Sequence, residues 1–414
     1  MRPLSFLHIS TFYPPFSFGG DAVYLAHLCQ ALAGRGHHVE VVHCMDSYEL
    51  LHRGPNPRPQ SQDDVTVHAL RSAWKWLSPL LSQQTGLPLL KRRALQSILA
   101  RRRFDVIHFH NISLFGPAVL RLDAGHARAL KVYTPHDYWL VCPTSSLYQF
   151  NARACRSTRC MACQLHARRP PQWWRSTRQL EKSCRHVDLF LASSPAAART
   201  HFERGFTYPF ATLPLFAAPA GEPPPAEPSP HPRPYLLYVG RLENLKGPQT
   251  LLSAWRDVPG VDLALAGAGT QDSRLRNMAA GNPRVRFLGQ LPPQELSAWR
   301  RHALAVVVPT QTYEMFGLVI AEAFAHATPA IVHDIGCMPE LIGQTRAGIV
   351  YRNDGELKQA LLRLASSPEL RAELSSNALA AWSRDWTPDA HLDRYLSLLE
   401  ETALRKFGEV PWRT

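Results

Sequence analysis

The chain has 414 residues, 45% hydrophobic and 19% charged, enough to give two ordinary domains a core each and to exclude a disordered chain. No apolar run approaches the roughly 20 residues needed to cross a bilayer, and eight cysteines without an export signal do not read as a disulfide framework. The formal charge of +13 calls for an anionic partner: nucleic acid, anionic lipid or a phosphate-bearing substrate.

Residues 4–10 read as a first strand. Thr11-Phe12-Tyr13-Pro14-Pro15 follows where a signal peptide would carry small residues, so a cytoplasmic protein is expected. Over 21–35, Val23, Leu25, Ala26, Leu28, Leu32 and Ala33 recur near helical spacing, and Gly34 and Gly36 end the pattern. Strands are predicted at 38–44, 104–110, 130–134, 187–193 and 210–215. Strands alternating with helical patterns indicate an α/β fold with a doubly wound parallel sheet. Eight prolines between 217 and 234 mark a stiff linker. Strand and helix patterns then restart, with short buried runs at 235–240, 261–266, 285–288, 304–308 and 330–333. An amphipathic stretch over 388–407 follows Trp382 and Trp386. The organisation is thus a domain over 1–216, a linker over 217–234, a domain over 235–386 and a last helix within 387–414.

In open parallel sheets, ligands sit beyond the carboxyl ends of strands. Gly19-Gly20 follows the first strand and lets backbone approach an anion; a plain turn is the other reading. Tyr238-Val239-Gly240-Arg241 closes a strand, and Lys246-Gly247 follows in the loop. An Arg and a Lys there can neutralise two phosphates, or form a solvated surface pair. The sharpest signal is Glu314-Met315-Phe316-Gly317-Leu318-Val319-Ile320-Ala321-Glu322. Gly317 lies near a helix start, where amides can meet a diphosphate. Glu322 falls in an apolar run, where an unpaired carboxylate costs several kcal/mol, so it should meet a donor such as a ribose hydroxyl.

Further pieces complete a pattern: Arg35-Gly36-His37, Thr134-Pro135-His136-Asp137, Gly267-Ala268-Gly269 and Met338-Pro339-Glu340. In this order the chain resembles the family 4 retaining glycosyltransferases of the GT-B fold, over nearly its whole length. The resemblance implies two Rossmann-like domains facing a central cleft, with the last helix packing back on the first domain. It implies a nucleoside diphosphate sugar donor held by the second domain and a glycan, lipid-linked or small-molecule acceptor held by the first, in cell-envelope or polysaccharide synthesis. Arg241 and Lys246 would bind the diphosphate and stabilise the leaving group, Glu322 the ribose, Glu314 and His136 the reacting sugar. Gly19, Gly20, Gly240, Gly267, Phe316, Gly317 and Leu318 would line the donor site. Catalysis would need no metal. Met315 stands where a Gly is common, Cys337 replaces the second Gly of a frequent pair, and Leu213-Pro214-Leu215-Phe216 replaces a Pro-Asn-Gly turn, so donor preference does not carry over from a relative.

Two basic regions contain apolar residues: Lys91, Arg92, Arg93 and 101–103 around Leu95, Ile98 and Leu99, near Trp74 and Trp76, and 153–185 around Trp173 and Trp174. They suit an anionic membrane at the inner face of the cell, or an ordinary basic surface. Cys142, Cys155, Cys160 and Cys163 are expected to hold a structural zinc ion, with free thiols or redox chemistry as alternatives. Competing functions are a sugar-nucleotide epimerase or phosphorylase of the same fold, a non-catalytic sugar-nucleotide binder, and a nucleic-acid binder. No nucleic-acid-binding signature accompanies the charge, so nucleic acid is not expected as a partner.

Overall fold

Short β-branched and apolar runs separated by amphipathic stretches make strands buried on both faces, as parallel strands flanked by helices must be. A computed structural model describes residues 2–413, apart from 53, 55, 59–63, 123–127, 157, 219–227 and 257. The chain divides into two units: Met1–Ser145, Arg159–Leu213 and His391–Thr414 form the first, Ser146–Thr158 and Pro214–Ala390 the second.

The first unit contains β1 (Ser5–Ile9), β2 (His38–Cys44), β3 (Val65–Leu70), β4 (Val106–Phe109), β5 (Leu130–Tyr133), β8 (Leu189–Ala192) and β9 (Phe210–Thr212). These pair in parallel in the order β3-β2-β1-β4-β5-β8-β9. Side chains alternate between the faces of a strand. Leu7, Ile9, Ile107 and Phe109 therefore enter one apolar core, while His8 and His108, paired in register, project from the other face. The helix Gly20–Gly34 follows β1, and the helix Pro388–Phe407 contributes Tyr395 and Leu399 as fully buried residues.

The second unit begins with a short antiparallel hairpin, β6 (Tyr148–Gln149) and β7 (Arg153–Ala154). Its main sheet contains β10 (Tyr235–Val239), β11 (Asp262–Ala266), β12 (Val285–Gly289), β13 (Val306–Val308), β14 (Ala330–His333) and β15 (Gly348–Tyr351). The order β12-β11-β10-β13-β14-β15 is the Rossmann order, which reverses between β10 and β13. Trp255, Leu263, Leu265, Val307 and Leu361 lie in its core.

The strand pattern in the sequence overlooks β3, β15 and the hairpin. β3 is an edge strand with exposed Thr66, Val67 and Ala69, so it lacks the continuous apolar run of a central strand, and β15 is a four-residue edge strand that begins at Gly348. Residues 146–158, expected in the first domain, group with the second unit, and the last helix joins the first unit only from His391. Half of the expected proline linker, 219–227, lies outside the described residues. No helix among the described residues is long and apolar enough to cross a membrane.

Candidate active site

In the second unit, three loops meet at the carboxyl ends of β10, β11 and β13. A Cβ on Gly247 would lie 1.9 Å from the Pro309 carbonyl oxygen, and one on Gly267 would lie 1.9 Å from that of Gly240. Both glycines have positive φ, +72° and +141°, so the close approach excludes a side chain and the backbone conformation further disfavours one. This contact brings Lys246, on the loop after β10, to Glu314, on the loop after β13: Lys246 Nζ donates to Glu314 Oε1 at 2.6 Å. Thr310 Oγ1 donates to the same oxygen at 3.0 Å. Lys246 and Glu314 are both partly open to solvent, with side-chain exposures of 29% and 19%. Arg241, one residue beyond Gly240, is exposed.

The rest of the Glu314 to Glu322 signature divides. Gly317 caps the seven-residue helix Leu318–Phe324, and Leu318 is half-buried. Phe316 is buried and edge-on to Trp386, with ring centres 5.3 Å apart, so its ring is core packing of the second unit. Glu322 is half-buried and ion-paired through Oε2 with the buried Arg300. Burial raises the Glu322 pKa against the pull of Arg300, and burial lowers that of Arg300. The donor that this carboxylate requires is therefore supplied at least in part by the protein. Arg300 was not visible as a partner in the sequence. It lies in the basic run Arg300-Arg301-His302 at the end of the helix Pro293–His302, and only packing singles it out.

In the first unit, Gly19 and Gly20 are exposed at the start of the helix after β1. Asp21 follows in its first turn and accepts from Asn111 Nδ2, just beyond β4, at 3.4 Å. His136 lies just beyond β5, half-buried. Its Nε2 shares a hydrogen bond with His110 Nδ1 at 3.0 Å, and His110 Nε2 shares another with His8 Nδ1 at 3.0 Å. Burial lowers the pKa of His136 against the attraction of Asp21. Next to it, burial raises that of Asp137 to about 6, opposed by the Trp139 amide that donates to Oδ1 at 2.8 Å. The alternation His108-Phe109-His110 was the available signal for the ring cluster, though periodicity alone does not say which face carries it.

Comparison with known proteins supplies what geometry does not. A family model described as Glycosyltransferase Family 4 matches residues 18–211, and one described as Glycosyl transferases group 1 matches 222–380. The chain belongs to the family 4 glycosyltransferases. The D-inositol 3-phosphate glycosyltransferase of Corynebacterium kroppenstedtii is 32% identical over 188 residues, 41% of each chain. The glycogen synthase of Mycobacterium tuberculosis is 38% identical over 142 residues, 32% of this chain and 34% of the relative. The matched part thus spans about two fifths or less of these curated relatives. Among solved structures, sucrose-phosphate synthase from Thermosynechococcus elongatus has a TM-score of 0.73 at 19% identity, covering 96% of this chain and 98% of that one. Anabaena HepE in complex with UDP and glucose has a TM-score of 0.66 at 17% identity, covering 96% and 100%. These similarities establish the GT-B fold.

Two expectations outside the family motifs fare differently. Among the described residues, the one group of three or more His, Cys, Asp or Glu side chains with ligating atoms within 4.8 Å of one another is His8, His108 and His110. Cys142, Cys155, Cys160 and Cys163 form no such group: Cys142 Sγ lies 3.3 Å from Thr144 Oγ1, while Cys160 is exposed on the helix Cys160–His166 and Cys163 is buried on it. The basic region around 91–103 also needs correction as a membrane surface. Leu95, Ile98 and Leu99 are core residues, and Lys91 is buried with its Nζ donating to Ser82 Oγ at 3.3 Å. Trp174 is likewise buried, which leaves Trp74, Trp76 and Trp173 as the exposed rings.

Proposed function

We propose that the protein transfers a glycosyl unit from a nucleoside diphosphate sugar to a hydroxyl group of a glycan, lipid-linked or small-molecule acceptor, with retention of anomeric configuration and no catalytic metal. The observation that carries the reading is the Lys246–Glu314 pair, set where the strand order reverses and bordered by loops that only glycine allows to touch. Lys246 and Arg241 bind the diphosphate and stabilise the charge that develops as the glycosidic bond breaks. Glu314 meets the donor sugar, and Glu322, anchored at Oε2 by Arg300, binds the ribose. His136 meets the sugar beside the bond that breaks, and the departing phosphate takes the acceptor proton on the same face. HepE bound to UDP and glucose, and a plant starch synthase bound to ADP and acarbose, support a nucleotide-sugar donor. The test is a thermal-shift screen with UDP, GDP, ADP and their sugars, followed by NMR of the product formed from the best donor. An inverted linkage overturns the stereochemistry, and turnover of a donor without any acceptor-linked sugar overturns transfer.

A second reading concerns where the protein works. Trp74, Trp76 and Trp173 are 64%, 61% and 60% exposed. The segments that carry them are tied together by the bond from Trp174 Nε1 to the Gln83 carbonyl at 2.9 Å. Arg71, Lys75, Arg168 and Arg169 are exposed on the same segments. Aromatic rings among cations suit the interface of an anionic membrane. Sedimentation with anionic vesicles that weakens as salt rises supports this, and equal binding to neutral vesicles overturns it.

A further inference from the structure

The first unit holds five histidines in one connected polar region: His8 on β1, His108 on β4, His110 and His136 just beyond β4 and β5, and His391 on the last helix. His8, His108 and His110 are almost wholly inaccessible, and His136 reaches partial exposure. A dication among His8, His108 and His110 would lack a balancing carboxylate in that group, and five of their six ring nitrogens, all but His8 Nε2, are already engaged in hydrogen bonds. His108 shares hydrogen bonds of 2.8 Å with Thr134 Oγ1 and with Tyr395 Oη. His8, His110 and His136 form a separate chain with two bonds of 3.0 Å. Around them stand Asp21 and Tyr24 on the first helix and His391 and Tyr395 on the last; Tyr24 Oη pairs with His391 Nε2 at 2.9 Å. Burial depresses the basicity of the chain, that of His8 to about 3 and that of His110 well below the ordinary value, so these rings are neutral.

A neutral imidazole has one N–H, and each bond in the chain needs one hydrogen. His8 Nε2 is buried with no hydrogen-bond partner. A hydrogen on that nitrogen would be an orphaned buried donor, which native structures avoid more strictly than an unused acceptor. The His8 hydrogen therefore sits on Nδ1 and is donated to His110 Nε2. His110 must then carry its own hydrogen on Nδ1 and donate it to His136 Nε2. That leaves the His136 hydrogen on Nδ1.

We propose that His110, backed by His8, is a positioning residue that holds His136 in the Nδ1–H tautomer, so that His136 presents a hydrogen-bond donor, and not a base, to the reacting sugar. The tautomer follows from the first unit alone; its use on the sugar rests on the glycosyltransferase reading given above. In that role His136 binds an oxygen of the donor sugar or its departing phosphate, while the acceptor proton goes elsewhere.

Long-range proton–nitrogen NMR spectra of the full chain labelled with ¹⁵N-histidine read the tautomer directly, with His136 assigned by the signals lost in His136→Asn. The wild type should show neutral His136 protonated at Nδ1 at about pH 8, above the range in which an ordinary histidine titrates. His110→Leu and His8→Leu should each convert that single tautomer into a mixture, whereas His110→Asn, which keeps a donor near the Nδ1 position, should retain it. A wild-type His136 protonated at Nε2, or a tautomer unchanged in both leucine variants, overturns the proposal; the wild-type spectrum decides it even if a variant fails to fold. Normal sugar transfer by His136→Ala would instead overturn the role of His136 on the sugar, and the tautomer result would stand apart from it.

Discussion

In the first sheet, the place where strand order reverses, between β1 and β4, is occupied by imidazoles; in the second, the matching place between β10 and β13 is bordered by glycine loops and a lysine–glutamate pair. The strand order is shared, but the chemistry at the reversal differs. Parallel strands leave their carboxyl ends free at that point whatever side chains they carry, so topology supplies the location and the local residues decide its use. The second unit leaves its polar groups open to a charged ligand. The first buries neutral rings behind one half-exposed histidine, an arrangement suited to orienting a group.

The sharpest way to break this contrast is to fill the glycine contact. Gly247→Ala should destabilise the second unit by about 3–4 kcal/mol, since its Cβ would strike the Pro309 carbonyl and the backbone has positive φ. Gly205→Ala, with φ of +92° and no atom within 4 Å of its Cβ, should cost only about 1–2 kcal/mol. Urea unfolding of both variants checks this, and equal losses would mean that the loop contact is not tight.

Next in size is the charged pair. Lys246→Ala should weaken nucleotide-sugar use by roughly 10- to 100-fold, the equivalent of about 1.5–3 kcal/mol for a lost charge-assisted bond. Steady-state transfer at subsaturating donor measures it, with thermal stability as the control. Wild-type rates would remove Lys246 from the donor site.

The first unit should show its buried, neutral character as a pH effect. The folded pKa of Asp137, about 6, lies above the ordinary carboxylate value of about 4. Between those values the folded chain holds a proton that the unfolded chain has lost, so stability falls as pH rises through the window. Asp137→Asn should remove that fall, worth about 1–2 kcal/mol after allowance for partial exposure, in urea midpoints measured from about pH 4 to 7. An identical pH profile in the two proteins would show that Asp137 is not perturbed.

The smallest change is Tyr395→Phe. It removes the hydroxyl that pairs with His108 Nδ1 at 2.8 Å and should cost about 1 kcal/mol in unfolding free energy. A neutral effect would indicate that the ring cluster does not depend on the last helix.

Much of this was legible in the chain because local patterns carried it. Central strands such as β10 and β13 are continuous apolar runs, and the glycines and charges after them stand at fixed distances from strand ends. The edge strand β3 was not legible, because exposure on an edge breaks the apolar run. Phe316 and Glu322 were legible as unusual residues but not in their contacts: Trp386 and Arg300 are 70 and 22 residues away in the chain. Leu95, Ile98 and Leu99 show the converse, an apolar stripe among cations that looks like a surface until the core it fills is known.

The sequence by itself determined the alternation of strand and helix, the repetition of that alternation after the prolines, and the kinds of residue present at the strand ends. Those follow from backbone sterics and hydrophobic periodicity, which act over a few residues. Only the tertiary structure decided which polar groups pair. Lys246 meets Glu314 because two loops can touch at Gly247, and His136 meets His110 and His8 because parallel register sets β1, β4 and β5 side by side. Hydrogen bonds and ion pairs act over about 3 Å, so partners distant in sequence become partners only when the fold brings them that close.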